Sequence, residues 1–169
     1  MNAFSPAVTA RLADMRAQRT EDDLQWSGRF VRECVGVLNR EAPQTFLIDE
    51  MPDNIRKVDI GTRDGAIIVH YRGSKYSVGA GQSPVMAQRV FTFDVHVLAR
   101  GIQGRSGAPN VVDIVRVILQ NRQIEGAGPL APVEDGFANE EGGVWDYVIS
   151  FRGELPAVGR NYPHRSERT

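Results

Sequence analysis

The run Gln88-Arg-Val-Phe-Thr-Phe-Asp-Val-His-Val-Leu-Ala-Arg100 constrains the fold more than any other part of the chain. Phe91, Phe93, Val95 and Val97 recur at a spacing of two, and Val90, Thr92, Asp94, His96 and Leu98 fill the alternate places. Alternation of this kind, rich in β-branched and aromatic residues, specifies a half-buried antiparallel strand. Its 13 residues would extend roughly 43 Å at about 3.3 Å each. A compact chain of this length has a radius of gyration of about 15 Å and a diameter of only about 40 Å. The strand therefore bends, or one of its ends projects past its own domain.

The other elements follow around it. Ser5-Pro6 has the form of a helix cap, and Val8, Leu12 and Met15 continue at helical spacing to about Gln18. Thr20 followed by Asp23 offers a second cap. Leu24, Phe30, Val31, Cys34, Val35 and Leu38 then mark the inner face of a helix ending near Asn39, before Pro43. Residues 1–40 thus hold one bent helix or a helix pair, whose polar faces carry Arg11, Arg16, Arg19, Arg29 and Arg32. Thr45 to Ile48 and Lys57 to Ile60 read as short strands, with Pro52-Asp53-Asn54 and Asp64-Gly65 as turns. Ala66 to Tyr71 is a firmer strand. Arg72 to Ala87, glycine-rich and longer than a hairpin needs, is expected to be a mobile loop, because loops beyond about twelve residues are usually functional or disordered. A helix from about Pro109 to Asn121, capped by Asn110 or Ser106, has Val111, Val112, Val115, Ile118 and Leu119 as its apolar stripe. Leu130 to Phe137 and Val144 to Leu155 form a closing hairpin around Asn139 to Gly143, with Trp145, Tyr147, Ile149 and Phe151 on one face. The expected class is α+β: a mostly antiparallel sheet with an N-terminal helix or helix pair and one further helix on one face. Residues 1–157 would form one such domain and 158–169, with Arg160, His164, Arg165 and Arg168, a tail ordered by a partner.

Composition narrows the function classes. Hydrophobic content of 41% and charged content of 24% suit a soluble globular protein, and a formal charge of −1 argues against nucleic-acid binding driven by bulk charge. Lys57 and Lys75 are the only lysines among 20 basic residues; arginine suits bidentate and stacked contacts at interfaces, although a genome-wide bias gives the same count. Cys34, the single cysteine, excludes an intrachain disulfide and sits in an apolar helical run, as a buried inert thiol would. The N-terminus lacks the pattern of a secretory signal, and no apolar run approaches membrane-spanning length.

A search for catalytic chemistry yields little. His70, Asp94 and His96 fall on neighbouring strands, and two histidines with a carboxylate could bind a divalent metal, but their spacing matches no metal motif. Gly79-Ala-Gly81 lacks the Gly-Lys-Ser/Thr ending of a phosphate cradle. Glu134, Asp135, Glu140 and Glu141 flank the tip of the closing hairpin, as a solvated turn or as an acidic docking edge. No serine stands in a nucleophile elbow. The expectation is a non-enzymatic assembly protein with no catalytic, cofactor or metal residues. A small metal-dependent hydrolase or ligand-binding domain built on His70, Asp94 and His96 is the alternative from another class.

Three blocks point more narrowly: Ile67-Ile-Val-His-Tyr-Arg-Gly-Ser-Lys-Tyr-Ser77, Arg89 to Gly101, and Gly128-Pro-Leu130 through Gly143-Val-Trp-Asp-Tyr-Val-Ile-Ser-Phe151. In this order, across roughly residues 60 to 157, they resemble the tail terminator family of Mu-like phages and prophages. The resemblance implies a virion protein of the tail, assembled in the host bacterial cytoplasm. Such a protein forms a homohexameric ring that caps the tail tube, stops its polymerisation and presents a surface to the neck. Its partners would be itself, the tube protein, a neck or connector protein and, as a further candidate, the sheath. DNA would only pass through the lumen. A neck connector or head–tail joining protein is the nearest alternative. Within this reading Arg72, Lys75, Tyr76 and Arg89, at the ends of the strands beside the long loop, are the candidate tube contacts. Arg100, Glu134, Asp135, Glu140 and Glu141 are the candidate ring contacts.

Overall fold

The computed structural model describes residues 26–77 and 86–158. The expected helix from Ser5, the cap at Thr20 with Asp23, and the tail from Gly159 lie outside them, as do residues 78–85 of the expected loop. The elements run α1 (Trp26–Glu41), β1 (Phe46–Glu50), a single 3-10 turn (Ile55–Lys57), β2 (Gly65–Ser77), β3 (Met86–Ala99), α2 (Ala108–Leu119), β4 (Ala131–Glu141) and β5 (Val144–Val158). The five strands form one sheet in the order β1-β2-β3-β5-β4. Only β1 and β2 are parallel; every other pair is antiparallel. This is the α+β architecture expected, with the helices on one face.

The alternation of β3 is realised as read. Phe91, Phe93, Val95 and Val97 are fully buried beneath the helices, in a core completed by Phe30, Cys34 and Leu38 of α1, Val111, Val115 and Leu119 of α2, and Ile149 and Phe151 of β5. Phe30 meets Phe91 and Phe93 edge-on, each at 4.9 Å between centroids, and Phe93 stacks on Phe151 at 5.2 Å. Edge-to-face and offset geometries of this kind add about 0.5–1.5 kcal/mol per pair beyond area burial. Ile60, Ala66, Ile68 and Leu98 form a smaller apolar cluster on the opposite face, covered by Leu47, Met51, Ile55 and Val58.

Several local expectations are corrected. Lys57 to Ile60 is not a strand: Asn54 accepts from the Arg56 amide and starts the 3-10 turn instead. Asp64-Gly65 is not a turn. Gly65 opens β2 as the partner of Phe46 and Ala99, and a Cβ there would lie 1.9 Å from the Leu98 carbonyl oxygen. The glycine serves close backbone approach rather than chain reversal. The described residues of the stretch Arg72 to Ala87 are sheet, since β2 runs on to Ser77 and β3 begins at Met86. A bulge between Tyr71 and Gly73 lets the ladder continue past the glycine that suggested a loop. Neither Asn110 nor Ser106 caps α2. Gly107 takes the cap position without a side-chain bond, while Asn110 donates to the Arg105 carbonyl and Ser106 to Asp64. The closing turn is only Gly142-Gly143, with φ of 60° and 81°, so β4 extends through Glu140 and Glu141. Two central residues at positive φ make the tight primed turn that matches strand twist.

Candidate functional site

The buried part of the sheet stops at Phe91 on β3 and Gly153 on β5, yet the ladder continues to Met86 and Val158. The five residues beyond Phe91, from Val90 to Met86, add about 16 Å of strand at about 3.3 Å each. On the neighbouring strand Lys75, Tyr76 and Ser77, paired with Val90, Arg89 and Gln88, are exposed. Three strands thus run past the core as an arm, the projecting end that strand length suggested.

Arg89 stands at the root of this arm. Its guanidinium lies 4.4 Å from the Trp26 ring centroid, with the Tyr71 and Tyr76 rings at 5.9 and 5.8 Å. Nε donates to Ser74 Oγ at 2.7 Å and Nη2 to Tyr71 Oη at 2.7 Å, and the Tyr71 and Ser74 hydroxyls bond each other. Trp26 is fixed in turn, since its indole N–H donates to the Glu125 carbonyl and its ring meets Phe91 at 4.8 Å. Arg89 therefore joins α1 to the base of the arm. Lys75 and Tyr76, the latter 62% exposed, present their side chains further out.

Arg72 occupies the bulge and lies on the other face, where Nε is 3.5 Å from Asp94 Oδ2. Asp94 is 9% exposed and accepts from Ser150 Oγ at 2.6 Å. His70 pairs with Asp94 across β2 and β3, and His96 follows two residues along the same face. One ligand atom from each of His70, Asp94 and His96 lies within 4.8 Å of the others. His96 Nδ1 is 3.2 Å from both carboxylate oxygens of Asp146 on β5. Sheet register makes this cluster, and sequence reasoning placed its first three members. It did not find Asp146 or Ser150, whose only signal was their place on the polar side of β5.

The acidic residues are divided. Glu134 pairs with Ser150 and, together with Asp135, lines an open groove beside Arg72, Asp94 and Val148. Glu141 is 3.7 Å from Arg56, and Glu140 accepts from the Gly143 amide at 2.7 Å. Arg100 is committed within the chain: it donates to the Gly61 carbonyl at 2.5 Å and the Arg63 carbonyl at 3.2 Å. Strand β4 is exposed along nearly its whole length, with Val133 58% and Phe137 55% accessible, and its outer edge has no strand partner among the described residues. Phe137 packs only sideways, against Trp145 and Tyr147 at 5.8 and 5.7 Å.

A family model described as Gp37 protein matches residues 34–168, which takes in every described element except the start of α1. The chain belongs to the Gp37 family. No curated protein matches it. Among solved structures, a chain in the virion of a native gene transfer agent particle is similar to this Gp37 family member. Their identity is 13% and their TM-score 0.49, over 75% of this chain and 91% of that one.

Proposed function

We propose that this Gp37 family protein is a structural protein of a phage virion, and more narrowly a tail terminator that closes into a ring on the end of the tail tube. The observation that carries the reading is the three-stranded arm past Phe91 and Gly153, together with the outer edge of β4, which has no strand partner among the described residues. A subunit with a projecting strand assembly at one place and an open edge at another has the parts for a head-to-tail interface, and such an interface closes into a ring when the rotation permits. The resemblance of Ile67–Ser77, Arg89–Gly101 and Gly128–Phe151 to tail terminators supports the same reading. Bulges at Val133 and Ala138 interrupt β4 pairing and bend that edge, a device that limits indiscriminate strand addition.

Lys75 and Tyr76 are the tube contacts whose change leaves the core untouched. The double substitution Lys75→Glu, Tyr76→Ala should leave thermal melting within a few degrees of the parent and should yield tubes of uncontrolled length when supplied in place of the parent during tail assembly. Tails of normal length from that variant would overturn the reading. Solution mass with and without tubes is the companion measurement, a hexamer on the tube being the expected result.

A further inference from the structure

The geometry points to a binding site for a divalent first-row transition metal ion on the polar face of the sheet, formed by His70, Asp94 and His96. It goes beyond the assembly role proposed above and does not depend on it.

The three residues approach from two adjacent strands in fixed register. His70 stands opposite Asp94, and His96 is the next residue on the same side of β3. Their ligand atoms lie within 4.8 Å of one another. Zinc–nitrogen bonds of about 2.1 Å in a tetrahedral set put ligand atoms roughly 3.4 Å apart. The cluster must therefore contract by about an ångström or more at its widest, a movement open to His70, whose side chain is exposed. The other two are held by neighbouring side chains. Asp146 faces His96 Nδ1 with both oxygens at 3.2 Å, which favours a proton on Nδ1 and leaves the Nε2 lone pair for a metal. Ser150 holds Oδ1 of Asp94 at 2.6 Å, which leaves Oδ2, now facing Arg72, as the oxygen to turn to the ion. A histidine backed by a carboxylate and a carboxylate backed by a hydroxyl are the outer contacts that metal ligands ordinarily require. Two imidazoles and one carboxylate suit zinc, nickel or cobalt better than magnesium or calcium, which prefer all-oxygen sets.

Arg72 is the competing cation. Its Nε is 3.5 Å from Asp94 Oδ2 and its side chain is more than half exposed. A metal ion at Asp94 displaces it, so the arginine weakens the site without closing it. With three protein ligands on an exposed face, a coordination position stays open to water or to a donor from a partner.

The test is equilibrium dialysis of the full chain against Zn2+, with metal counted per chain by elemental mass spectrometry and magnesium as the comparison ion. About one zinc per chain is expected in the parent, with none retained by His70→Ala or His96→Ala and no comparable uptake of magnesium. Asp146→Asn should weaken zinc binding about 10–100-fold, the usual effect of losing an outer contact. Arg72→Gln should tighten it several-fold, a response that adventitious binding elsewhere on the chain would not give. His70 is exposed, so His70→Ala keeps the experiment decisive if the His96 variant folds poorly. Parent and His70→Ala taking up equal zinc, or magnesium binding as well as zinc, would overturn the proposal.

Discussion

At the scale of single residues, side chains that look like surface chemistry in the sequence are largely occupied in holding the fold. Arg89 is the clearest case: two charge-assisted hydrogen bonds and a ring at 4.4 Å secure the first described turn of α1 to β2 and β3. Replacing it with Met keeps the aliphatic stem and removes the guanidinium. That should cost about 1–3 kcal/mol in denaturant unfolding, with Lys recovering only part, since an ammonium cannot both stack on Trp26 and bond two hydroxyls. Cys34 is buried, and burial, aided by the negative charge of Glu33, pushes its thiol far above the usual range. It should therefore stay unmodified by thiol reagents in the native protein and react at once in denaturant. Asp64 moves the other way. Hydroxyl donors Thr45 and Ser106 hold its carboxyl below the ordinary value of 3.8. A carboxylate with a lowered folded pKa stabilises above its unfolded pKa, and that contribution is lost as pH falls through the folded one. Asp64→Asn should therefore flatten the part of an acid-unfolding curve lying below about pH 4 and leave the neutral region shallow.

At the scale of elements, periodicity carried most of the information that the sequence held. Strand β3 and the apolar stripe of α2 were legible because each alternates or recurs over ten or more residues with one face buried. The misreadings cluster where glycine has two meanings. Gly65 and Gly107 are required by contact, with a Cβ at either meeting backbone at 1.9 and 2.7 Å, and Gly142-Gly143 by a positive φ. Sequence alone does not separate these causes, so Gly65 read as a turn and Gly73 as the start of a loop. Gly153 is of the first kind: a Cβ there would lie 2.3 Å from Phe91 Cζ. Gly153→Ala should displace that ring and cost about 1–3 kcal/mol in denaturant unfolding, more than the same change at Gly136, where nothing stands within 4 Å. The candidate site was half legible. His70, Asp94 and His96 follow from face alternation on adjacent strands, whereas Asp146 and Ser150 depend on the β3–β5 register, which no single sequence sets. The Arg89 clamp gave no signal at all, because its partners at 26, 71, 74 and 76 share no local pattern.

At the scale of the whole molecule, the sheet divides its duties. One face with α1 and α2 holds the core, the opposite face carries the polar cluster, and the two extremities, the arm and β4, reach beyond the buried residues. The central ladder spans the widest interval of sequence: Ala99 pairs with Trp145 at one end and Met86 with Val158 at the other. Neither α2 nor the buried face of β3 is fully covered until β5 is in place, because Ile149 and Phe151 supply one wall of their cavity. A chain truncated after Gly143 should consequently fail to give a cooperative melt, even though every residue of α1, α2 and β3 is present. The same dependence governs biosynthesis. While the ribosome is still adding residues 144–158, the nascent chain carries a β3 not yet paired with β5, and the native topology becomes available only once residue 158 has been added. Amides of β3 and β5 should be the last to exchange with deuterium once the ladder has closed.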